Sequence, residues 1–134
     1  MLRWLPSLIL MAFAGWMIYQ ADRGIPNLFI QFADQYVYGD KIGHAMLYGG
    51  LALFLTVATR FRQWRIGGWR LFVGVVLVLI AALLEEGSQY FLSTRNFDLW
   101  DAFADVVGVT LAQLFCWLWL GTGNRYRQMR RKLR

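Results

Sequence analysis

Four apolar stretches separated by short polar segments set the pattern of this chain. They run from about Leu5 to Tyr19, Ile42 to Thr59, Trp69 to Leu92 and Asp101 to Leu120. A bilayer's ~30 Å hydrocarbon core needs about 20 helical residues, so the pattern predicts an all-α bundle of four transmembrane helices. Pro6 falls in the first turn of the first helix, where a missing N–H is tolerated. The apolar runs are continuous rather than alternating, which argues against strands. Between the first two spans, Leu28, Phe29, Phe32 and Tyr36 stand at i, i+1, i+4 and i+8. That spacing predicts a short helix lying in the interface, either as a lid over the outer end of the bundle or as an aromatic anchor. Arg3 and Ala12-Phe13-Ala14 have some features of a cleavable signal peptide. The apolar run continues through Ile18, which favours an uncleaved anchor.

Composition supports a membrane protein. Of 134 residues, 58% are hydrophobic and 16% charged, against ~25% charged in an ordinary soluble domain. A soluble domain this small would expose large apolar patches, and a disordered chain would be far poorer in hydrophobic residues. The lone Cys116 excludes a disulfide framework and a Cys-based zinc site. The length suits one domain, residues 1–134.

Charge sets an expected orientation. Arg3, Arg60, Arg62, Arg65, Arg70 and the six basic residues from Arg125 to Arg134 fall on one side of the four spans. Arg23, Lys41 and Arg95 fall on the other, together with all eight acids. Basic loops stay in the cytoplasm. Both termini are therefore expected there, with the acidic face outward. Trp4, Trp64, Trp69, Trp117 and Trp119 would lie near the inner boundary and Trp100 near the outer one. The tail from residue 121 onward is basic enough to suggest nucleic acid, but the chain has no nucleic-acid fold. Contact with anionic lipid is the expected role, and nucleic acid is not an expected partner.

The candidate chemistry gathers at the outer ends of three helices. On the second, Lys41, His44 and Tyr48 stand at i, i+3 and i+7, and Asp40 lies four residues before His44. On the third, Glu86 and Gln89 are three apart. On the fourth, Asp98, Asp101 and Asp105 repeat i, i+3, i+7 if the helix starts early enough. Each set shares one helical face, and in a bundle these faces turn inward, away from lipid. Counting from Trp69 at ~1.5 Å per residue puts Glu86 about 25 Å from the inner boundary. Counting back from Trp119 puts Asp105 about 21 Å away. A carboxylate inside the hydrocarbon costs ~2.5–3.5 kcal/mol or more unless paired, protonated or hydrated, so such residues are functional candidates. The structural alternative has Asp101 capping the fourth helix, and Glu85 and Glu86 paired with Lys41 and Arg95.

Written out, the segments are Asp40-Lys41-Ile42-Gly43-His44-Ala45-Met46-Leu47-Tyr48, then Glu86-Gly87-Ser88-Gln89, then Arg95-Asn96-Phe97-Asp98-Leu99-Trp100-Asp101, then Asp105-Val106-Val107-Gly108. Their order and spacing resemble the VanZ-like family of small bacterial membrane proteins, with the pattern D-K-x-x-H-x-x-x-Y, E-x-x-Q, R-x-x-D-x-x-D and an Asn followed three residues later by Gly. Asp105 stands where that pattern has Asn, which adds a carboxylate. The resemblance implies a bacterial inner-membrane protein. Its founding member is associated with low-level resistance to the glycopeptide teicoplanin, a phenotype without an assigned reaction.

The residues themselves suggest three roles for the pocket. In the first it binds, and in one form modifies, a phosphate-bearing lipid such as a polyprenyl phosphate or a phospholipid. Lys41 and Arg95 would hold the phosphate, with Tyr48, Gln89 and Asp98 as further substrate-binding candidates. His44 would act as general acid or base oriented by Asp40 or another carboxylate, with Glu86 and Asp101 as further catalytic candidates. Glu86, Asp101 and Asp105 offer oxygen ligands for a divalent cation. In the second role the acidic site binds lipid or antibiotic without converting it. In the third, the His and carboxylates relay protons or solutes, which four spans would support better in an oligomer. Gly49-Gly50 and Gly67-Gly68 would allow close helix approach.

Overall fold

The computed structural model describes residues 4–25, 27–91 and 98–132. Five helices and one hairpin follow in chain order: α1 (Leu5–Asp22), α2 (Leu28–Asp34), α3 (Gly39–Ala58), β1 (Gln63–Ile66), β2 (Trp69–Phe72), α4 (Val73–Gln89) and α5 (Leu99–Lys132). Two segments, Gly39–Ala58 and Leu99–Gly121, are long and apolar enough to cross a membrane.

α1 begins with Pro in its first turn, where the ring fits. It ends at Asp22, and Asn27 ties it to the next element. Asn27 Nδ2 donates to Gln20 Oε1 at 2.8 Å, while its Oδ1 accepts from the Phe29 N–H at 2.8 Å and caps α2. The Phe29 ring packs edge-on against Phe13 and Trp16 of α1. Leu28, Phe32 and Tyr36 stay exposed. The short helix expected in this loop is therefore present, although it ends at Asp34, before Tyr36. Its contacts run to α1 and to the start of α3, where the Ala33 carbonyl lies against Gly39.

Between α3 and α4 the chain departs from the helical pattern. Residues 69–72 do not open the third long helix, as their hydropathy predicts; they form β2, paired antiparallel with β1. Arg60 and Phe61 take φ of 58° and 57°, which turns the chain back. Gly67 and Gly68, at φ 55° and 87°, make the two-residue hairpin turn. Two successive positive φ angles are what a type I′ turn needs, and glycine adopts them without steric cost. This pair therefore serves the hairpin rather than a helix contact, and a Cβ at either position would meet nothing within 4 Å. The Phe72 N–H donates to Gln113 Oε1 and Gln113 Nε2 donates to the Arg70 carbonyl, both at 3.1 Å. One side-chain amide on α5 thus satisfies two backbone groups of β2. The buried Phe72 ring meets Phe61 at 6.1 Å. α4 begins only at Val73 and ends at Gln89, 17 residues in all. The expected end at Leu92 lies outside the described residues.

The core joins α3, α4 and α5 through Tyr48, Leu51, Leu55, Val75, Val78, Val109 and Cys116. Two glycine contacts set its geometry. A Cβ on Gly108 would collide with the Ala45 carbonyl, and one on Gly49 would stand 2.8 Å from the Gly108 carbonyl oxygen. α3 and α5 therefore cross backbone to backbone, as small residues permit between packed helices. A Cβ on Gly74 would likewise meet the Thr56 backbone, which brings the start of α4 against the end of α3.

Candidate functional site

The start of α3, the end of α4 and the start of α5 lie at one end of the bundle, and their polar faces meet there. Asp98 precedes α5. Its Oδ1 accepts from the Trp100 N–H at 2.9 Å, and its carbonyl accepts from the Asp101 N–H at 3.0 Å. Asp98 is therefore the cap of α5, where a carboxylate suits the helix dipole. It takes the role that sequence reasoning offered to Asp101. The Asp101 carboxylate is instead turned into the bundle and pairs with Lys41.

Lys41 is the hub of the outer half of the site. Its ammonium pairs with Asp98 Oδ2 at 2.7 Å, Asp40 Oδ2 at 3.3 Å and Asp101 Oδ1. These three carboxylates replace the Lys41 pairing with Glu85 or Glu86 that was the structural alternative. Asp98 accepts the Lys41 bond, and this holds its carboxyl below the usual carboxylate range.

His44 sits one turn deeper, between two acidic groups. Nδ1 is 3.0 Å from Asp105 Oδ1 and 3.9 Å from Glu86 Oε1, while Nε2 is 4.0 Å from Asp40 Oδ1. With Nδ1–H donated to Asp105, Asp105 becomes the orienting carboxylate and Nε2 faces Asp40. Of the orienting groups expected, Asp40 or another carboxylate, the nearer one is Asp105. Asp105 and Glu86 are each only 1% exposed. Their second oxygens, Asp105 Oδ2 and Glu86 Oε2, are buried without a hydrogen-bond partner among the described residues.

The remaining candidates brace these groups. Gln89 Nε2 donates to Glu85 Oε1 at 2.9 Å and to Glu86 Oε1 at 3.1 Å. The Tyr48 hydroxyl donates to Glu85 Oε2 at 3.3 Å, and its ring lies 6.1 Å from His44. Both side chains are buried. Arg95, the second expected phosphate ligand, lies outside the described residues.

Two sets of three ligand atoms lie within 4.8 Å of one another: His44, Glu86 and Asp105, and Asp40, His44 and Asp101. The expected metal set of Glu86, Asp101 and Asp105 is thus divided, because Asp101 belongs with Lys41. In sequence Glu85 reads only as a tie between helices. It is the acceptor that joins Tyr48 to Gln89, and its i, i+4 spacing to Gln89 is the signal available for that role.

Among the described residues, six carboxylates (Asp40, Glu85, Glu86, Asp98, Asp101 and Asp105) share this end of the bundle with Lys41, a formal −5 with His44 neutral. Charge of that sign attracts cations and repels a bare phosphate. No family model, curated protein or solved structure matches this chain.

Proposed function

We propose that this chain is a VanZ-like bacterial inner-membrane protein whose outer polar site engages the phosphate-bearing headgroup of a lipid or cell-envelope precursor. In this reading α1 and α4 join α3 and α5 as spans, and the termini and hairpin are cytoplasmic. Charge segregation supports the orientation. The Lys41–Asp101 and His44–Asp105 groups lie at one end of the bundle, while Arg60, Arg62, Arg65 and Arg70 lie in or beside the hairpin at the other. The hairpin places Trp64, Ile66 and Trp69 on its exposed surface, as an interfacial element would.

The observation that carries the functional reading is the convergence of His44, Glu86 and Asp105 from three helices. Buried ionisable groups within a membrane bundle mark binding or proton-transfer sites. The His44–Asp105 dyad is arranged for general acid–base work at Nε2, so modification of the bound lipid is the catalytic form of the proposal. The acid excess favours a second, non-catalytic form, in which the site binds a cationic headgroup or drug. A link to glycopeptide resistance would run through either form.

Native mass spectrometry of the purified protein tests the proposal. Wild type is expected to retain phosphate-bearing lipid, and His44→Ala and Glu86→Ala to lose it; equal retention by all three would reject the site. Lipid-conversion products that disappear in His44→Ala would establish the catalytic form. For topology, a cysteine at Val37 is expected to react with an impermeant thiol reagent from outside, and one at Arg65 only after permeabilisation.

A further inference from the structure

We propose that His44, Glu86 and Asp105 bind one first-row divalent cation of the zinc or manganese class, and that the lipid phosphate reaches the cluster through that ion. The second half rests on the lipid-binding function proposed above. The first half stands on the cluster alone.

Spacing favours an ion at this point. Ligand atoms ~2.0–2.1 Å from a common ion stand about 3.0 Å apart at right angles and about 3.4 Å apart at the tetrahedral angle. His44 Nδ1 and Asp105 Oδ1 are already 3.0 Å apart, and an ion would take the place of the proton between them. Glu86 Oε1, at 3.9 Å from the same nitrogen, needs to close by only about half an ångström.

Unmet valence points the same way. Glu86 Oε2 and Asp105 Oδ2 belong to side chains that are 1% exposed, and neither has a hydrogen-bond partner among the described residues. A buried polar atom left unpaired costs ~1–3 kcal/mol, more for a charged group. A cation at the cluster would satisfy such an atom where the carboxylate binds it through both oxygens.

Charge balance selects the kind of ion. Lys41, the lysine at this end, is already shared by Asp40, Asp98 and Asp101. Glu86 and Asp105 therefore present two negative charges opposite a single imidazole. A dication with neutral His44 balances them. One nitrogen and two carboxylates suit zinc or manganese better than calcium or magnesium, which prefer all-oxygen sets. The ion's open positions would accept a phosphate oxygen, and this reconciles an acidic site with an anionic headgroup.

The chain contains a single histidine, so a histidine-modifying reagent reports His44 alone. The full chain, in nanodiscs of phosphatidylcholine and stripped with EDTA, would be titrated with Co2+ and then Zn2+. About one equivalent of Co2+ is expected to give visible ligand-field bands that Zn2+ displaces. Zn2+ is expected to protect His44 from carbethoxylation in wild type, a readout that needs no variant to fold. Glu86→Gln and Asp105→Asn should weaken Zn2+ binding at least about tenfold. Absent bands together with unprotected His44, or Zn2+ affinity unchanged in both variants, would overturn the ion site.

A separate arm measures retention of added polyprenyl phosphate with and without Zn2+. Retention that requires Zn2+ supports the bridge. Retention that depends on His44 in protein that binds no ion leaves the lipid proposal standing and removes this inference. An ion that binds without affecting lipid leaves the ion site standing and removes the bridge.

Discussion

Gly108 of α5 lies against the backbone carbonyl of Ala45 in α3, with no room between them for a Cβ. His44 adjoins Ala45 in sequence, and Asp105 precedes Gly108 by three residues, so this crossing sets the 3.0 Å contact between them. Gly108→Ala should force the helices apart and cost ~1–3 kcal/mol or more, as overpacking does. The expected result is a lower melting temperature in detergent and loss of lipid retention. Gly43→Ala is the control, since nothing lies within 4 Å of a Cβ at that position. It should be neutral or stabilising by up to about 1 kcal/mol through helix propensity.

Lys41 faces three carboxylates from two parts of the chain, and Asp101 is the most buried of them. Lys41→Met would leave Asp101 buried without a counter-charge. Truncating one partner of a fully buried pair costs ~3–5 kcal/mol, against ~1 kcal/mol or less at the surface. Lys41 is partly exposed, so a loss between those limits is expected by thermal melt. The double variant Lys41→Met with Asp101→Leu should recover part of that loss. Recovery of nothing would mean that Lys41 acts by packing rather than by charge.

The site is legible in sequence because its signals are local. The spacing of Lys41, His44 and Tyr48, and of Asp98, Asp101 and Asp105, assigns each polar set to one helical face, and the three faces do meet. Sequence does not choose partners across helices. Whether Lys41 reaches Asp101 or Glu86 depends on how close the backbones come at Gly49 and Gly108, and that is a tertiary quantity. The hairpin is hidden for a different reason. Trp69-Arg70-Leu71-Phe72 runs directly into the apolar stretch after it, and hydropathy does not separate a strand from a helix there. The signal is Gly67-Gly68, which reads equally as a helix contact and as a hairpin-turn pair. Starting α4 at Val73 also shortens the expected helical distance to Glu86 to about 20 Å.

Gln113 is a polar residue in the apolar part of α5, and its amide serves the Phe72 N–H and the Arg70 carbonyl together. Gln113→Leu would leave both backbone groups of β2 without that partner. Each unsatisfied group costs ~1–3 kcal/mol if water cannot reach it. The variant is expected to melt at lower temperature and to show faster hydrogen exchange at the Phe72 amide, while Zn2+ protection of His44 is retained. Unchanged exchange at Phe72 would show that the amide is held by something other than Gln113.

Asp98 accepts from Lys41 at 2.7 Å and from the Trp100 N–H at 2.9 Å, and its carboxyl is held below the usual range, with the Lys41 bond as the largest cause. A depressed carboxyl contributes stability that is fully present above its unfolded value, about 3.9. That contribution is lost as pH falls through the lower folded value. Asp98 is substantially solvent-exposed, so the gain is screened and of the order of a surface pair, ~1 kcal/mol or less. Asp98→Asn should therefore melt slightly below wild type at pH 6–7. The two curves should begin to converge as pH drops below about 3.9 and meet below the lower folded value, where wild-type Asp98 is also neutral. A constant gap across that range would exclude the Lys41 charge as its source, since asparagine largely preserves the cap.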